Sequence, residues 1–173
     1  MSLFDWLGLR FKPKGAVVEI GVPMQERTEQ VPLTQELVSR HLAAIAGLPA
    51  TLVEPVYQLL SNPLSMQYSG SELVKQLPVE ILEGVDRVAL GSLINVLINE
   101  ITRRMYIESA GLRPGVIGIR LLAEQEPPPA EIAAITEVDV HGLGKGVYPL
   151  DAVPDNPTPG RRCGFYVRVV QKV

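Results

Sequence analysis

Residues 78–111, PVEILEGVDRVALGSLINVLINEITRRMYIESAG, form the stretch that most limits what this chain can fold into, because nothing else in it is long and apolar enough to organise a core. The spacing predicts one long central helix over about residues 78–110, roughly 30 residues and about 45 Å at 1.5 Å per residue. Pro78 suits a first helical position, and Glu80 and Glu83 place negative charge at the positive end of the helix dipole. Arg103 and Arg104 sit near the other end, where Ala110-Gly111 followed by Pro114 reads as a stop. Between Val88 and Asn99 no charge falls on any face, which predicts a buried helix. The run is too short for a membrane span, being closed by Arg87 and Glu100.

Within this helix Leu90, Leu93, Ile94, Leu97, Ile101 and Met105 make one thick stripe, and Gly84, Gly91 or Ser92, Asn95, Asn99 and then Thr102 or Arg103 make a thinner one opposite. The thinner stripe has two readings. It is the solvent face of an amphipathic helix, or it is a helix–helix contact in which small residues admit a neighbour and Asn side chains set register.

Around the helix the chain divides in character. Ser2–Phe11 predicts a short amphipathic helix, whose Phe4, Trp6 and Leu7 need a surface to dock on. AVVEI at 16–20 alternates as a strand, and residues 21–32 are polar and Pro-bounded. Residues 1–33 therefore read as an anchoring segment and extended arm, and 34–173 as a single domain of a length that suits one core. In that domain Thr34 caps a helix over 35–46, whose apolar face carries His41, read as a buried, hydrogen-bonded core histidine. A helix kinked or begun near Pro55 and a short one over SELVKQL, capped by Ser71, follow.

After Pro114 the period changes from helix to strand. Strands are expected at 115–125, at Ile135–Val140 and at 165–171, where Phe165, Val167 and Val169 lie on one face of a terminal strand open to pairing at a sheet edge. The fold class is α+β: a cluster of helices around one long central helix, with a small antiparallel or mixed sheet that is mostly C-terminal.

Chemical signatures are few. His141-Gly-Leu-Gly-Lys-Gly146 has the glycines and lysine of a phosphate loop, but Asp139 stands where the first glycine belongs and no Ser or Thr follows Lys145. A turn between strands is the better reading; the alternative is a small-molecule binding domain or enzyme with a pocket near this turn, using Asp139, His141 and Lys145. Asp139 and His141 supply two metal ligands at most, and the lone Cys163 builds neither a disulfide framework nor a cysteine zinc site. Arg162 beside Cys163 would lower its thiol pKa if the two were close in space. No catalytic, cofactor or metal set is expected.

With a formal net charge of −3 and sparse aromatics, the chain gives no electrostatic or stacking reason to bind nucleic acid. The start of the sequence lacks a secretory pattern, and contact of the N-terminus with a membrane surface is not expected. The chain therefore reads as a cytoplasmic, non-enzymatic assembly protein, or one incorporated into an intracellularly assembled particle such as a virion, with protein subunits as partners. Its candidate interface is Phe4, Trp6, Leu7, Gly91, Asn95, Asn99, Phe165, Val167 and Val169.

Overall fold

The structure is a computed structural model that describes residues 17–20 and 31–172. Phe4, Trp6 and Leu7 lie outside the described residues. The fold is α+β: α1 (Gln35–Ala43), α2 (Val53–Ser61), α3 (Gly70–Val74) and the long α4 (Arg87–Gly111) precede most of a four-stranded antiparallel sheet. Its strands are β1 (Val17–Ile20), β2 (Val116–Ala123), β3 (Val147–Tyr148) and β4 (Phe165–Lys172), and α5 (Ala130–Thr136) lies between β2 and β3 in sequence.

The central helix starts nine residues later than its periodicity implies. Val79–Leu82 form one 3₁₀ turn, and Gly84 then takes a left-handed backbone (φ 70°) that ends it. Asp86 opens α4 as its N-cap, its Oδ1 accepting the N–H groups of Val88 (2.9 Å) and Ala89 (3.0 Å). Asp86→Ala is expected to cost about 1 kcal/mol, read as a lower urea midpoint at unchanged slope. A midpoint equal to wild type would show that the two N–H groups find another acceptor.

The charge-free middle of α4 is buried on one side only. Leu90, Leu93, Ile94, Leu97 and Ile101 are fully covered, each worth about 1.5–3 kcal/mol of apolar burial. Val88, Ser92, Asn95 and Asn99 face outward, so the helix is amphipathic although it carries no charge there. The buried stripe joins Leu37, Val38 and Leu42 of α1, Val56 and Leu60 of α2, and Leu73 of α3 in one core. Farther along, Ala110 enters a second core with Ile119, Leu121, Ile132, Tyr148, Phe165 and Val169. Thus α4 is shared by both cores, and its last turns form the floor beneath the sheet.

Ser69, not Ser71, caps α3: Ser69 Oγ accepts from Glu72 N while Glu72 Oε2 accepts from Ser69 N at 2.8 Å, a reciprocal box. The strand order β1-β4-β2-β3 puts the terminal strand inside the sheet instead of at its edge. Its Phe165 and Val169 are buried against the second core, with Val167 partly buried beside them.

The strand expected at Ile135–Val140 is absent from the described fold. Ala130–Thr136 is helical, following Pro129, whose carbonyl accepts from Ile132 N (3.0 Å) and Ala133 N (2.8 Å). Ile132 is buried and Ile135 packs on the same core, a helical spacing that outcompetes the alternation of ITEVDV once the sheet lies beneath. The following glycine-rich loop consequently joins a helix to β3, not two strands. No helix among the described residues is long and apolar enough to cross a membrane.

Candidate functional site

Where the two cores meet, charge is buried. Glu100 on α4 is 1% exposed, and Arg103, one turn on, is 7% exposed. Their spacing of three residues puts both on one helix face, and the pair is bidentate: Arg103 Nη2 donates to Oε1 at 2.6 Å and Nε to Oε2 at 3.1 Å. Arg104 Nε adds a third bond to Oε1 at 3.2 Å. Burial alone would raise the Glu100 pKa, but the two guanidiniums outweigh it and hold the carboxyl below its ordinary value.

Both arginines also reach across to the Pro-rich loop that leads to β4. Arg103 Nη1 donates to Pro154 O at 3.3 Å, and its guanidinium carbon lies 5.5 Å from the centre of the Phe165 ring. Arg104 Nη2 donates to Asp155 Oδ1 at 2.8 Å, and Arg40 Nη1 from α1 donates to Oδ2 at 2.9 Å. For Asp155 too, desolvation pushes the pKa up and the arginines, Arg40 first, bring it below the ordinary value. The cluster therefore links α1, α4 and the loop through alternating charge. Asn156 organises the loop itself, donating to Arg161 O (2.9 Å) and accepting from Thr158 N and Oγ1 (both 3.0 Å).

His41 closes the arrangement. It is fully buried, as its place on the apolar face of α1 implies, and Nδ1 accepts the Gly160 N–H at 3.0 Å.

The residues singled out from sequence are dispersed. Gly91 is buried against α3, and Asn95 Oδ1 accepts the Gly70 N–H at 2.7 Å, so the contact they make is between α3 and α4 of one chain. Asn99 is exposed. Asp139, His141 and Lys145 all stand exposed on the loop before β3, where the His141 ring lies edge-on to Tyr148 at 5.5 Å. Cys163 is partly buried, and burial raises its thiol pKa despite Arg103. Its neighbour Arg162 is paired with Glu124, Nη2 donating to Oε1 at 2.9 Å. Among the described residues no three His, Cys, Asp or Glu side chains are grouped to hold a metal ion.

The ionic junction was only half legible. Glu100 followed by Arg103 and Arg104 at helical spacing is a visible pairing signal, whereas the reach to Arg40 and Asp155 spans 51 to 115 positions of sequence and leaves no local trace. Comparison with protein-family models, with curated proteins and with solved structures finds no match to this chain.

Proposed function

We propose that the protein is a non-enzymatic assembly component, acting through protein–protein contacts as a homo-oligomer or within a larger complex such as a virion or other cytoplasmically built particle. The observation that carries this reading is the set of large apolar side chains left outside the two filled cores. Val88 is 80% exposed at the start of α4 and Leu112 77% exposed beyond its end. Val138, Val140 and Leu143 all stand exposed on the loop before β3. Isolated exposed apolar residues are ordinary, but three on one short loop gain free energy from cover. That loop is closed at its base by Gly146 N–H donating to Val138 O at 2.9 Å, so it presents the apolar groups with part of the ordering cost already met.

Light scattering on the full chain across a concentration series is expected to give a discrete oligomer. Val140→Asp combined with Leu143→Asp, both on the exposed loop, is expected to move the midpoint of dissociation up in concentration by tenfold or more while leaving the thermal midpoint unchanged at dilutions where both proteins are monomeric. A wild-type monomer at every concentration would remove the self-assembly form of the proposal. An oligomer indifferent to the double substitution would remove the loop from the interface.

A further inference from the structure

His41 is held in a way that depends on its being neutral. A neutral imidazole that accepts at Nδ1 carries its proton on Nε2, and here Nε2 is buried without a hydrogen-bond partner among the described residues. Protonation would place a second N–H at Nδ1, facing the Gly160 N–H, so a hydrogen bond would become a meeting of two donors. The surroundings do not favour that extra charge. Arg40 adjoins His41 on α1, Glu100 and Arg104 face it from α4, and Asp155 faces it from the loop. With Arg103 included, three guanidiniums already stand against two carboxylates.

The loop is seated closely enough to sense the change. Gly160 has φ 78°, and a Cβ there would lie 2.9 Å from Ala44 Cβ and 3.3 Å from His41 O, so its backbone rests directly on α1. Residues 156–161 are tied to one another through Asn156 and by Arg161 N–H donating to Thr158 O at 3.1 Å. The segment can therefore lift as a unit about Asp155, which stays anchored by Arg40 and Arg104.

We propose that His41 is a proton-operated latch: neutral, it holds the 156–161 turn against α1; protonated, it releases that turn while both cores stay folded. Burial is the largest influence on His41 and lowers its pKa below 6.5, Arg40 and Arg104 add to the lowering, and Glu100 and Asp155 oppose it. The sign follows from linkage. Because the closed state binds the proton more weakly than the open one, the latch is at full strength above pH 6.5 and weakens as pH falls from there toward the closed-state pKa. Glu100 and Asp155 titrate below their ordinary 4.5 and 3.8, so their loss belongs to a more acidic range.

Amide hydrogen exchange on the full chain, expressed as protection relative to free peptide, tests this between pH 7.5 and 5. Opening of residues 156–161 is expected to rise toward tenfold per pH unit below 6.5 and then level off, while protection of Leu93–Leu97 is unchanged. His41→Asn keeps an acceptor near the Nδ1 position and cannot titrate, and is expected to make the turn's protection independent of pH in this range. Should that variant not fold, NMR titration of the wild-type imidazole serves instead. The chain has two histidines, and His141→Gln identifies the other signal. The midpoint of His41 should then fall below 6.5 and coincide with loop opening. Protection that is flat with pH in the wild type, an equal fall in His41→Asn, or loop opening without titration of His41 would each overturn the latch.

Discussion

Glu100→Ala is expected to remove about 3–5 kcal/mol of stability, a large part of the 5–15 kcal/mol that holds a typical domain. The loss comes less from the missing attraction than from what remains. Arg103 would stay buried with Nε and Nη2 facing no acceptor, and Arg104 would lose one of its two carboxylates. Urea denaturation should show a lower midpoint with the slope retained. Glu100→Gln, which keeps an acceptor oxygen but not the charge, should fall between alanine and wild type. Glu100→Leu with Arg103→Met should recover much of the loss, because a buried pair replaced whole by apolar groups leaves no uncompensated charge. The contrast within the same network is Arg40, whose ion pair with Asp155 is solvent-exposed and worth about 0–1 kcal/mol. If Glu100→Ala cost no more than Arg40→Ala, the junction would not be the stabilising centre that its burial implies.

Gly70→Ala should destabilise by about 3 kcal/mol, at the upper end of overpacking costs, even though alanine is the better helix residue by about 1 kcal/mol. Helices α3 and α4 touch backbone to backbone at this point. A Cβ on Gly70 would fall far inside contact distance of the Gly91 carbonyl and 3.1 Å from Asn95 Cγ. The nearer neighbour, the Gly91 carbonyl, is helix backbone and cannot turn aside, so the helices must part, and the bond from Gly70 N–H to Asn95 Oδ1 stretches with them. Gly91→Ala supplies the control from the other side of the same contact. Its added Cβ would meet atoms at 3.4 to 3.5 Å, ordinary packing, and the change should be within about 1 kcal/mol of wild type. Equal stability of the two alanine variants in thermal or urea unfolding would refute the asymmetry.

The Gly91–Asn95 contact illustrates how far sequence reasoning reached. Small residues and Asn at helical spacing fit a solvent face or a close helix contact alike; Ser92 and Asn99 are exposed, while Gly91 and Asn95 meet α3. Which helix they meet was not written locally, because the partner, α3, is five residues long and distinguished mainly by its capping box. The interface assigned to Phe165, Val167 and Val169 was redirected for a related reason. Alternation identifies the apolar face of a strand, but it says nothing of whether the strand is central, and β4 lies between β1 and β2. At 130–136 the pattern fits helix and strand alike, and the sheet beneath Ile132 decided between them.

The α+β class, the apolar stripe of α4, the Thr34 cap of α1, the burial of His41 and the strands near 116–123 and 165–172 were all legible in the residues, because each depends on periodicity or on a capping residue within a few positions. The break at Gly84 and Asp86 is local too, a left-handed glycine and a capping aspartate hidden within a longer apolar period, whereas tertiary structure decided the sharing of α4 between two cores and the gathering of Arg40, His41, Glu100, Arg103, Arg104 and Asp155 at their junction. Local preference acts over one or two turns. A buried charge needs partners from wherever the chain folds back, and those become neighbours only when the cores on either side have closed.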